Sequence, residues 1–429
     1  MIDKRVVEGV LTEQKMELLH KSQMFRCRRK EEDLVNLNSN LAQVVIGVRR
    51  RGKSTLCFNV LHNSGVNYAY INFDDERLAN ITSDDLNVLL EVLYKINKDF
   101  THLFLDEAQN VEGWHLFVNR LLRQGMRIII TGSNAKLLSS ELATHLTGRF
   151  NAIELYPFSF EEYCNYLDID TKLITTKMEG IRRSAFDDYL MKGGFPELLI
   201  ENDNKRYVSA LVDNILKRDI QQRYNIRYFA AFEKMSNHLM NIAPVILSVS
   251  EITKLFGIKS SQTTNNYIKY LMQAYLLVGL SKYSTKSKLR VTEEKIYTID
   301  VAIMDGRFQA FAGSNLGWRL ETIIYIELLR RCSRNSLDIY YYKKNTRSKE
   351  VDFVVCKGNK IIQMYQVAYD ISNPKTYKRE IDALVTASKE TSCAELYLIT
   401  DSIRETIDIN EDVKINVVPA YQWLLENFI

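Results

Sequence analysis

A strand, a glycine-bounded loop and a helix follow one another in quick succession near the start of the chain. Residues 44–60 read VVIGVRRRGKSTLCFNV, in which a β-branched run enters the pattern G-x-x-x-x-G-K-S/T at 47–54. That pattern carries a mechanism when it joins a strand to a helix. Glycines let the backbone wrap phosphate groups, and the N–H groups of the loop and of the helix N-terminus face the anion. The segment therefore predicts a phosphate-binding loop, with a coincidental turn as the alternative.

This loop is predicted to contact ATP and Mg²⁺. Lys53 can reach the β- and γ-phosphates, and the Ser54 hydroxyl can ligate Mg²⁺. The predicted nucleotide contacts are Gly47, Arg50, Arg51, Gly52, Lys53, Ser54 and Thr55. The three consecutive arginines, Arg49 to Arg51, are also compatible with a solvated patch, which we expect for at least one of them.

Two carboxylates end a later apolar run. Residues 102–107 read HLFLDE, and ligands of parallel sheets lie at the carboxyl ends of the strands. We expect Asp106 to hold the Mg²⁺ shell and Glu107 to orient and polarise the attacking water. The alternative is an acidic strand end that caps the next helix.

Two more strand-like runs occur at 68–73 (YAYINF) and 127–134 (RIIITGSN), and helical patterns separate the runs. Strands that alternate with helices predict an α/β fold with a parallel sheet. The length of 429 residues exceeds one ordinary core and predicts two to four domains.

Several short motifs resemble those of bacterial and archaeal AAA-type ATPases with a C-terminal domain of otherwise unknown function. They are GVRRRGKS at 47–54, INFDD at 71–75, LDEAQ at 105–109, TGSNA at 131–135, GR at 148–149 before YPFSF, and GGFPE at 193–197. The resemblance covers nearly the whole chain and is specific in the first half. It implies an ATPase domain over residues 1–155 and a helical lid over the nucleotide from residues 156–228.

By the same resemblance, Asn134 is similar to the residue that senses the γ-phosphate, and Arg149 to a cation that reaches it. A guanidinium suits that task because its charge is spread over a planar fork. A structural ion pair is the alternative for Arg149. Whether Arg149 serves its own nucleotide or that of a neighbouring subunit stays open, and so does the oligomeric state.

Residues 229–290 predict a winged helix. A short helix that starts at a serine ends at Gly257, a second helix follows from Ser261, and a strand then leads into the basic segment 282–290. The predicted contacts to double-stranded DNA are Gln262, Thr263, Asn266, Lys269, Lys288 and Arg290. A module for protein contacts is an equal alternative, because the fold does not dictate its function.

Residues 291–429 resemble the PD-(D/E)XK nuclease fold, in which carboxylates and a lysine surround a divalent metal. The matching residues are Glu321 and Asp352, but the expected Glu-x-Lys is Gln366-Val367-Ala368. An amide is a poorer Mg²⁺ ligand than a carboxylate, and alanine stabilises no developing charge. We expect a degenerate site that binds without cleaving; a weak nuclease and a different fold are the alternatives.

Composition excludes several classes of protein. The net charge of +4 gives no general argument for a nucleic-acid partner. Six scattered cysteines predict free thiols in a reducing compartment rather than structural zinc. No apolar stretch is long enough for a membrane span, and the first residues lack the apolar core of a secretory signal. We therefore expect a cytoplasmic protein.

Together these features predict a Mg²⁺-dependent ATPase whose nucleotide state controls a C-terminal DNA-binding module with a cleavage-inactive, nuclease-like domain. Two alternatives remain. One is an ATP-dependent nuclease. The other is a signalling or toxin–antitoxin-type switch whose C-terminal half binds a protein.

Overall fold

The computed structural model describes residues 3–22, 27–133, 145–201, 203–284, 293–308, 310, 315–344 and 349–426. The chain divides into two compact units, Met1–Leu155 and Tyr156–Ile429. Among the helices of these described ranges, none is both long enough and apolar enough to cross a membrane.

The first unit is a parallel sheet covered by helices. Its strands are β1 (Ala42–Gly47), β2 (Tyr68–Asn72), β3 (His102–Asp106), β4 (Arg127–Ser133) and β5 (Phe150–Glu154), and its helices are α1 (Lys4–Ser22), α2 (Lys53–Ser64), α3 (Leu86–Ile96) and α4 (Trp114–Arg123). The strand order is β2-β3-β4-β1-β5, and every pairing is parallel. Strand β1 is thus flanked on both sides, and all of its residues are buried.

Alternate residues of each strand feed two separate cores, one on each face of the sheet. Val44 and Leu105 join the core that includes side chains of α1, α3 and α4. Val45 and Phe104 join the core that includes side chains of α2. Successive side chains of a strand point to opposite faces of the sheet. When both faces are covered, nearly every residue of a strand must be apolar, which is why these strands show no alternation of apolar and polar residues.

The second unit contains two sheets and the remaining helices. Its helices are α5 (Phe160–Tyr166), α6 (Thr176–Lys192), α7 (Asn204–Asn214), α8 (Phe229–Ile242), α9 (Val249–Leu255), α10 (Ser261–Gln273), α11 (Val301–Asp305), α12 (Leu316–Asn335), α13 (Pro374–Thr391) and α14 (Ala420–Leu425). Helix α7 continues through a π-helical segment, Ile215–Gln221, into a last turn, Gln222–Tyr224.

The strands of the second unit are β6 (Val245–Ile246), β7 (Leu277–Ser281), β8 (Glu294–Thr298), β9 (Asp338–Tyr342), β10 (Val351–Lys357), β11 (Lys360–Val367), β12 (Glu395–Thr400), β13 (Glu405–Asp408) and β14 (Lys414–Pro419). Strands β6, β8 and β7 form an antiparallel three-stranded sheet in that order. The other sheet is mixed, in the order β13-β14-β12-β11-β10-β9. The small sheet follows α8, and α9 and α10 are inserted between β6 and β7.

Two glycines, Gly193 and Gly194, follow α6, and the carboxylate of Asp300 occupies the space that a side chain on Gly193 would need. Asp300 Oδ2 accepts a hydrogen bond of 2.8 Å from Gly194 N, and its Oδ1 caps α11 through Ala302 N at 2.8 Å. A Cβ on Gly193, whose φ is +82°, would lie 1.9 Å from Asp300 Oδ1. The turn between α6 and α7 is thereby tied to the start of α11, and the role of residues 156–228 as a lid stays a prediction.

Helix α12 carries a buried ion cluster. Arg330 and Arg331 both donate to the Glu327 carboxylate, with 2.8 Å from Arg331 Nε to Oε1. Arg331 also donates to the backbone oxygens of Trp423 and Leu424, each at 3.1 Å, and its guanidinium lies 4.3 Å from the centre of the Trp423 ring. Burial alone would raise the pKa of Glu327, but the arginines outweigh it and lower that pKa.

We predict that Glu327→Ala lowers the free energy of unfolding of the second unit by about 3–5 kcal/mol, because two buried guanidinium groups lose their counter-charge. Urea unfolding measures this change. Asp408→Ala removes an exposed ion pair with Lys414 and should cost no more than about 1 kcal/mol. Because the folded pKa of Glu327 is lowered, its contribution is present above the pKa of the unfolded chain and is lost as the pH falls. The free energies of unfolding of wild type and Glu327→Ala should therefore converge below about pH 4. A constant difference between them would contradict this account.

Candidate nucleotide site and a second polar pocket

The loop between β1 and α2 has the backbone of a phosphate cradle. Gly47, Arg50 and Gly52 have φ values of +146°, +65° and +80°, and such left-handed positions let successive N–H groups converge. A Cβ on Gly47 would lie 2.5 Å from Leu155 O, so the residue must be glycine. At Gly52 the neighbours leave room, and the positive φ is the constraint.

Lys53 is the first residue of α2, and its ammonium group spans the loop. The Nζ atom donates to Gly47 O at 3.3 Å and to Val48 O at 3.2 Å. Burial lowers the pKa of Lys53, while Glu107 and Asp106 oppose that shift. The cation therefore lies inside the loop, beside the two carboxylates predicted to share its site.

Asp106 ends β3 and accepts hydrogen bonds from three other elements. Ser54 Oγ donates to Oδ1 at 2.9 Å, Thr131 donates to the same oxygen, and Tyr70 OH donates to Oδ2 at 3.2 Å. Burial raises the pKa of Asp106, and Glu107 raises it further. A serine hydroxyl and a carboxylate already in contact are the oxygen ligands that Mg²⁺ prefers, so the donor set fits this ion.

Glu107 follows directly and has a left-handed φ of +54°. Its N–H group donates to Thr131 Oγ1 at 3.3 Å, and its carboxylate accepts from Gln109. The side chain is half-buried, unlike buried Asp106. The strained turn thus directs one carboxylate inward and leaves the next at the edge of the site, where water can reach it.

Tyr70, Thr131 and Gln109 complete this site and were not assigned from the sequence. Thr131 and Gln109 lie within the motifs TGSNA and LDEAQ, so the family resemblance carried a signal for both. For Tyr70 no such signal exists, since an aromatic residue in a buried strand is ordinarily a core residue.

The structure places the three arginines of the loop in different environments. Arg51 is 1% exposed and donates from Nη1 to Leu155 O at 2.9 Å, so it is not part of a solvated patch; its contact with the nucleotide stays a prediction. Arg50 is exposed and Arg49 half-buried. Asn134, the predicted sensor, lies outside the described residues.

Arg149 lies at the opposite end of the sheet from the loop. It precedes β5, whose Phe150 pairs with Ala42 at the start of β1, whereas the loop follows Gly47 at the end of β1. Five residues of strand span about 16 Å. Arg149 is therefore far from the loop of its own chain in this structure, and its roles as a structural residue or at a neighbouring subunit's nucleotide both stay predictions.

A second polar pocket, of about 510 Å³, brings together Glu321, Asp352 and Gln366 in the second unit. Gln366 uses both ends of its amide: Nε2 donates to Glu380 Oε2 at 2.8 Å, and Oε1 accepts from Asp352 N at 3.3 Å. Asp352 Oδ2 accepts from Val367 N at 2.9 Å. In the described part of the chain, no group of three or more His, Cys, Asp or Glu is arranged to hold a metal ion.

A lysine that the sequence did not reveal lies among the carboxylates next to this pocket. Lys295 Nζ, on β8, is 2.8 Å from Glu321 Oε1, 2.9 Å from Glu350 Oε1 and 4.0 Å from Asp352 Oδ1. Burial would lower the pKa of Lys295, but Glu321, Asp352 and Glu350 together raise it. The pKa of Asp352 is raised well above its usual range, first by burial and then by Glu321. An ammonium group therefore supplies the positive charge at this acidic cluster.

The predicted DNA contacts on α10 form part of a separate surface. Gln262 Nε2 donates to Asn266 Oδ1 at 3.2 Å, and Ser260 Oγ accepts from Thr263 N at 3.1 Å to cap the helix. Lys269 is exposed. Lys288 and Arg290 lie outside the described residues.

Comparison with known families divides the chain into three parts. A family described as an AAA domain matches residues 39–164, and two domains of unknown function, DUF8612 and DUF4143, match residues 183–309 and 316–423. An uncharacterized protein of Methanocaldococcus jannaschii is 32% identical over 99% of this chain and 96% of its own length. An uncharacterized protein of Haemophilus influenzae is 29% identical over 91% of this chain and 95% of its own.

Solved structures with partial similarity include the Walker-type ATPase of Pyrococcus abyssi, at 14% identity and a TM-score of 0.39, over 64% of this chain and 94% of that one. The RuvB Holliday junction branch migration motor of Thermotoga maritima is 16% identical, with a TM-score of 0.28, over 61% of this chain and 88% of that one. The fold prediction is confirmed: the parallel five-stranded sheet with its loop after β1 is that of P-loop ATPases, and separate α/β elements follow.

We predict that Lys295→Met destabilises the second unit by about 3–5 kcal/mol at neutral pH, because it removes the ammonium group that Glu321 and buried Asp352 share. The loss should shrink as the pH falls from 8 to 5: Lys295 lowers the pKa of Asp352, so without it that pKa rises further and the folded variant takes up a proton at a higher pH than folded wild type does. Thermal unfolding at the two pH values measures this. Lys282→Met is the matched control, because its partner Glu293 is 40% exposed, and its loss should be smaller and independent of pH. Equal pH profiles for both variants would contradict the proposed charge balance.

Proposed function

The chain belongs to the family of AAA-domain proteins with C-terminal domains of unknown function, and we propose that it binds and hydrolyses ATP with Mg²⁺. The observation that carries this proposal is the hydrogen bond from Ser54 to Asp106, with Lys53 and Glu107 beside it. A hydroxyl at the start of the loop's helix and a strand-end carboxylate are the groups that hold Mg²⁺ in P-loop NTPases.

Each residue has a separate task in this proposal. The loop N–H groups and Lys53 would bind the β- and γ-phosphates, and Ser54 and Asp106 would hold Mg²⁺, which would neutralise charge on the phosphates. Hydrolysis forms a bond from a water oxygen to the γ-phosphorus and breaks the bond from that phosphorus to the bridging oxygen. Glu107 orients the water and accepts its proton, a role that its position at the accessible edge of the site supports.

Arg149 fits a site that is shared between two copies of the chain. Within one chain it is at the far end of β5 from the loop, and it is exposed. We infer that it serves the γ-phosphate bound by a neighbouring copy, where its guanidinium would stabilise charge that develops during transfer. Hydrolysis would then require assembly.

The second unit is proposed to bind DNA under control of the nucleotide state. The order α8, β6, α9, α10, β7, β8 supports a winged helix, since it has a helix-turn-helix followed by a hairpin. Two observations support a nuclease-like domain without cleavage: Lys295 supplies the charge at the acidic cluster, and Gln366 is held at both ends. No lysine follows Gln366 at the position where the nuclease pattern has one.

We predict that Lys53→Ala abolishes nucleotide binding, because the loop loses its cation for the β- and γ-phosphates. Glu107→Gln should retain ATP binding and lower steady-state hydrolysis by a factor of about a hundred or more. Fluorescent-nucleotide titration and phosphate release measure the two effects. Glu112→Gln alters an exposed carboxylate close in sequence and should leave both unchanged. Full activity in Glu107→Gln would remove that residue from the mechanism.

The same assay should be run with and without double-stranded DNA. Turnover that DNA stimulates and Glu107→Gln abolishes would support the DNA-controlled ATPase. Turnover indifferent to DNA would favour a protein partner instead, and metal-dependent cleavage lost in Asp352→Ala would establish the nuclease alternative.

We predict that Arg149→Ala slows hydrolysis without weakening ADP affinity, because ADP lacks the γ-phosphate. Mixing Arg149→Ala with inactive Lys53→Ala should restore activity, since an intact loop of one variant meets the intact arginine of the other. For randomly mixed dimers the recovery would be roughly a quarter of wild type. Absence of recovery in a mixture shown by size-exclusion chromatography to contain both variants in one assembly would exclude the shared site.

A further inference from the structure

A groove of about 610 Å³ lies in the second unit between the end of the α7 extension and α10. Its walls carry four tyrosines, Tyr224, Tyr228, Tyr267 and Tyr270. We call this surface the tyrosine groove. It is distinct from the polar pocket around Asp352, with which it shares no lining residue.

Three of the four tyrosine rings of the groove pack against neighbouring side chains. Tyr224 and Tyr270 are stacked, with ring centres 3.7 Å apart and planes 7° from parallel. The Tyr224 hydroxyl donates to Gln273 Oε1 at 2.7 Å. Tyr267 packs edge-on against buried Phe232 at 5.0 Å. These contacts fix three of the rings before any ligand arrives, whereas Tyr228 is 65% exposed at the rim.

The charge of the groove has one sign. Lys259 and Arg227 line it, and both are exposed. Lys259 Nζ lies 5.9 Å from the centre of the Tyr228 ring, and Arg223 lies 5.2 Å from that of Tyr224. Among the described residues that line the groove, none carries a carboxylate. A ligand that fits this surface is therefore anionic and offers flat faces to aromatic rings.

An unpaired nucleic-acid strand meets both requirements. Its phosphates pair with lysine and arginine, and its bases stack on aromatic side chains, which paired bases inside a duplex cannot do. Thr263 and Asn266 also line the groove and offer hydrogen-bonding groups to base edges. An acidic peptide would satisfy the charge but would leave the exposed tyrosine faces without planar partners.

We propose that the tyrosine groove binds an unpaired segment of nucleic acid, with a base against Tyr228 and a phosphate at Lys259. The inference rests on the proposed nucleic-acid-binding role of the second unit. It changes the proposed ligand of that unit from double-stranded to single-stranded nucleic acid. It is independent of ATP hydrolysis.

The test is fluorescence anisotropy of the full chain, without nucleotide, titrated into a labelled oligothymidylate of about 16 nucleotides. The same sequence as RNA and as a DNA duplex forms two further arms. Tyr228→Ala should weaken single-strand binding by a factor of about 5 to 150, which corresponds to the loss of one stacked base. Tyr228→Phe keeps the ring and should bind like wild type. Lys259→Ala should weaken binding and lower the salt slope by about 0.7.

Matched controls lie on α9, outside the groove. Leu255 is 63% exposed and Lys254 is exposed, so Leu255→Ala and Lys254→Ala remove comparable side chains and should retain wild-type affinity. Circular dichroism melting of every variant excludes unfolding as the cause of a loss.

The outcomes separate this inference from the proposed function. Single-strand binding lost in Tyr228→Ala and kept in both controls supports the inference, and the DNA and RNA arms identify which strand is preferred. Duplex binding equal to or tighter than single-strand binding, or unchanged affinity in Tyr228→Ala, overturns the inference while leaving a DNA-binding module in place. No binding in any arm overturns the inference, and the DNA-binding role falls with it only if duplex binding is also absent when ATP and Mg²⁺ are added.

Discussion

The shared direction of the strands in the first unit is the constraint on which its site depends. Because β1, β3 and β4 run parallel and are adjacent, Ser54, Asp106 and Thr131 meet at one edge although they are far apart in sequence. The hydrogen bonds from Ser54 and Thr131 to Asp106 follow from that topology. The same direction separates the start of β5 from the loop, so the geometry that assembles the site also places Arg149 at the opposite end of the sheet within a single chain.

The phosphate loop and the two carboxylates could be predicted because local order decides them: a loop, a helix start and a strand end are each contained in a few residues. Lys295 could not. It lies on β8 between Glu321 and Glu350 because two sheets meet there, and nothing in its own neighbourhood in the sequence distinguishes it from a solvated lysine. The burial of Arg51 could not be predicted either, since nothing in a run of three arginines shows which of them donates to Leu155 O.

The second unit contains several buried charged groups besides its apolar core. Glu327 with its two arginines, Asp300 under the glycine pair, and Lys295 among carboxylates each connect segments distant in sequence. Such groups give weak net stability, because desolvation opposes the attraction. They do restrict how the segments can pack, since any other arrangement would leave a charge buried alone.

The attachment of α14 to α6 sets an order for folding on the ribosome. Glu179 on α6 accepts a 2.8 Å hydrogen bond from Gln422 on α14, 243 residues later in the chain. The contacts within the first unit are complete once residue 155 has been made. At about 5–20 residues per second, α6 would wait roughly ten to fifty seconds for its partner. During translation an already folded first unit is therefore followed by helices whose apolar faces stay exposed, which makes the second unit the one that chaperones would meet.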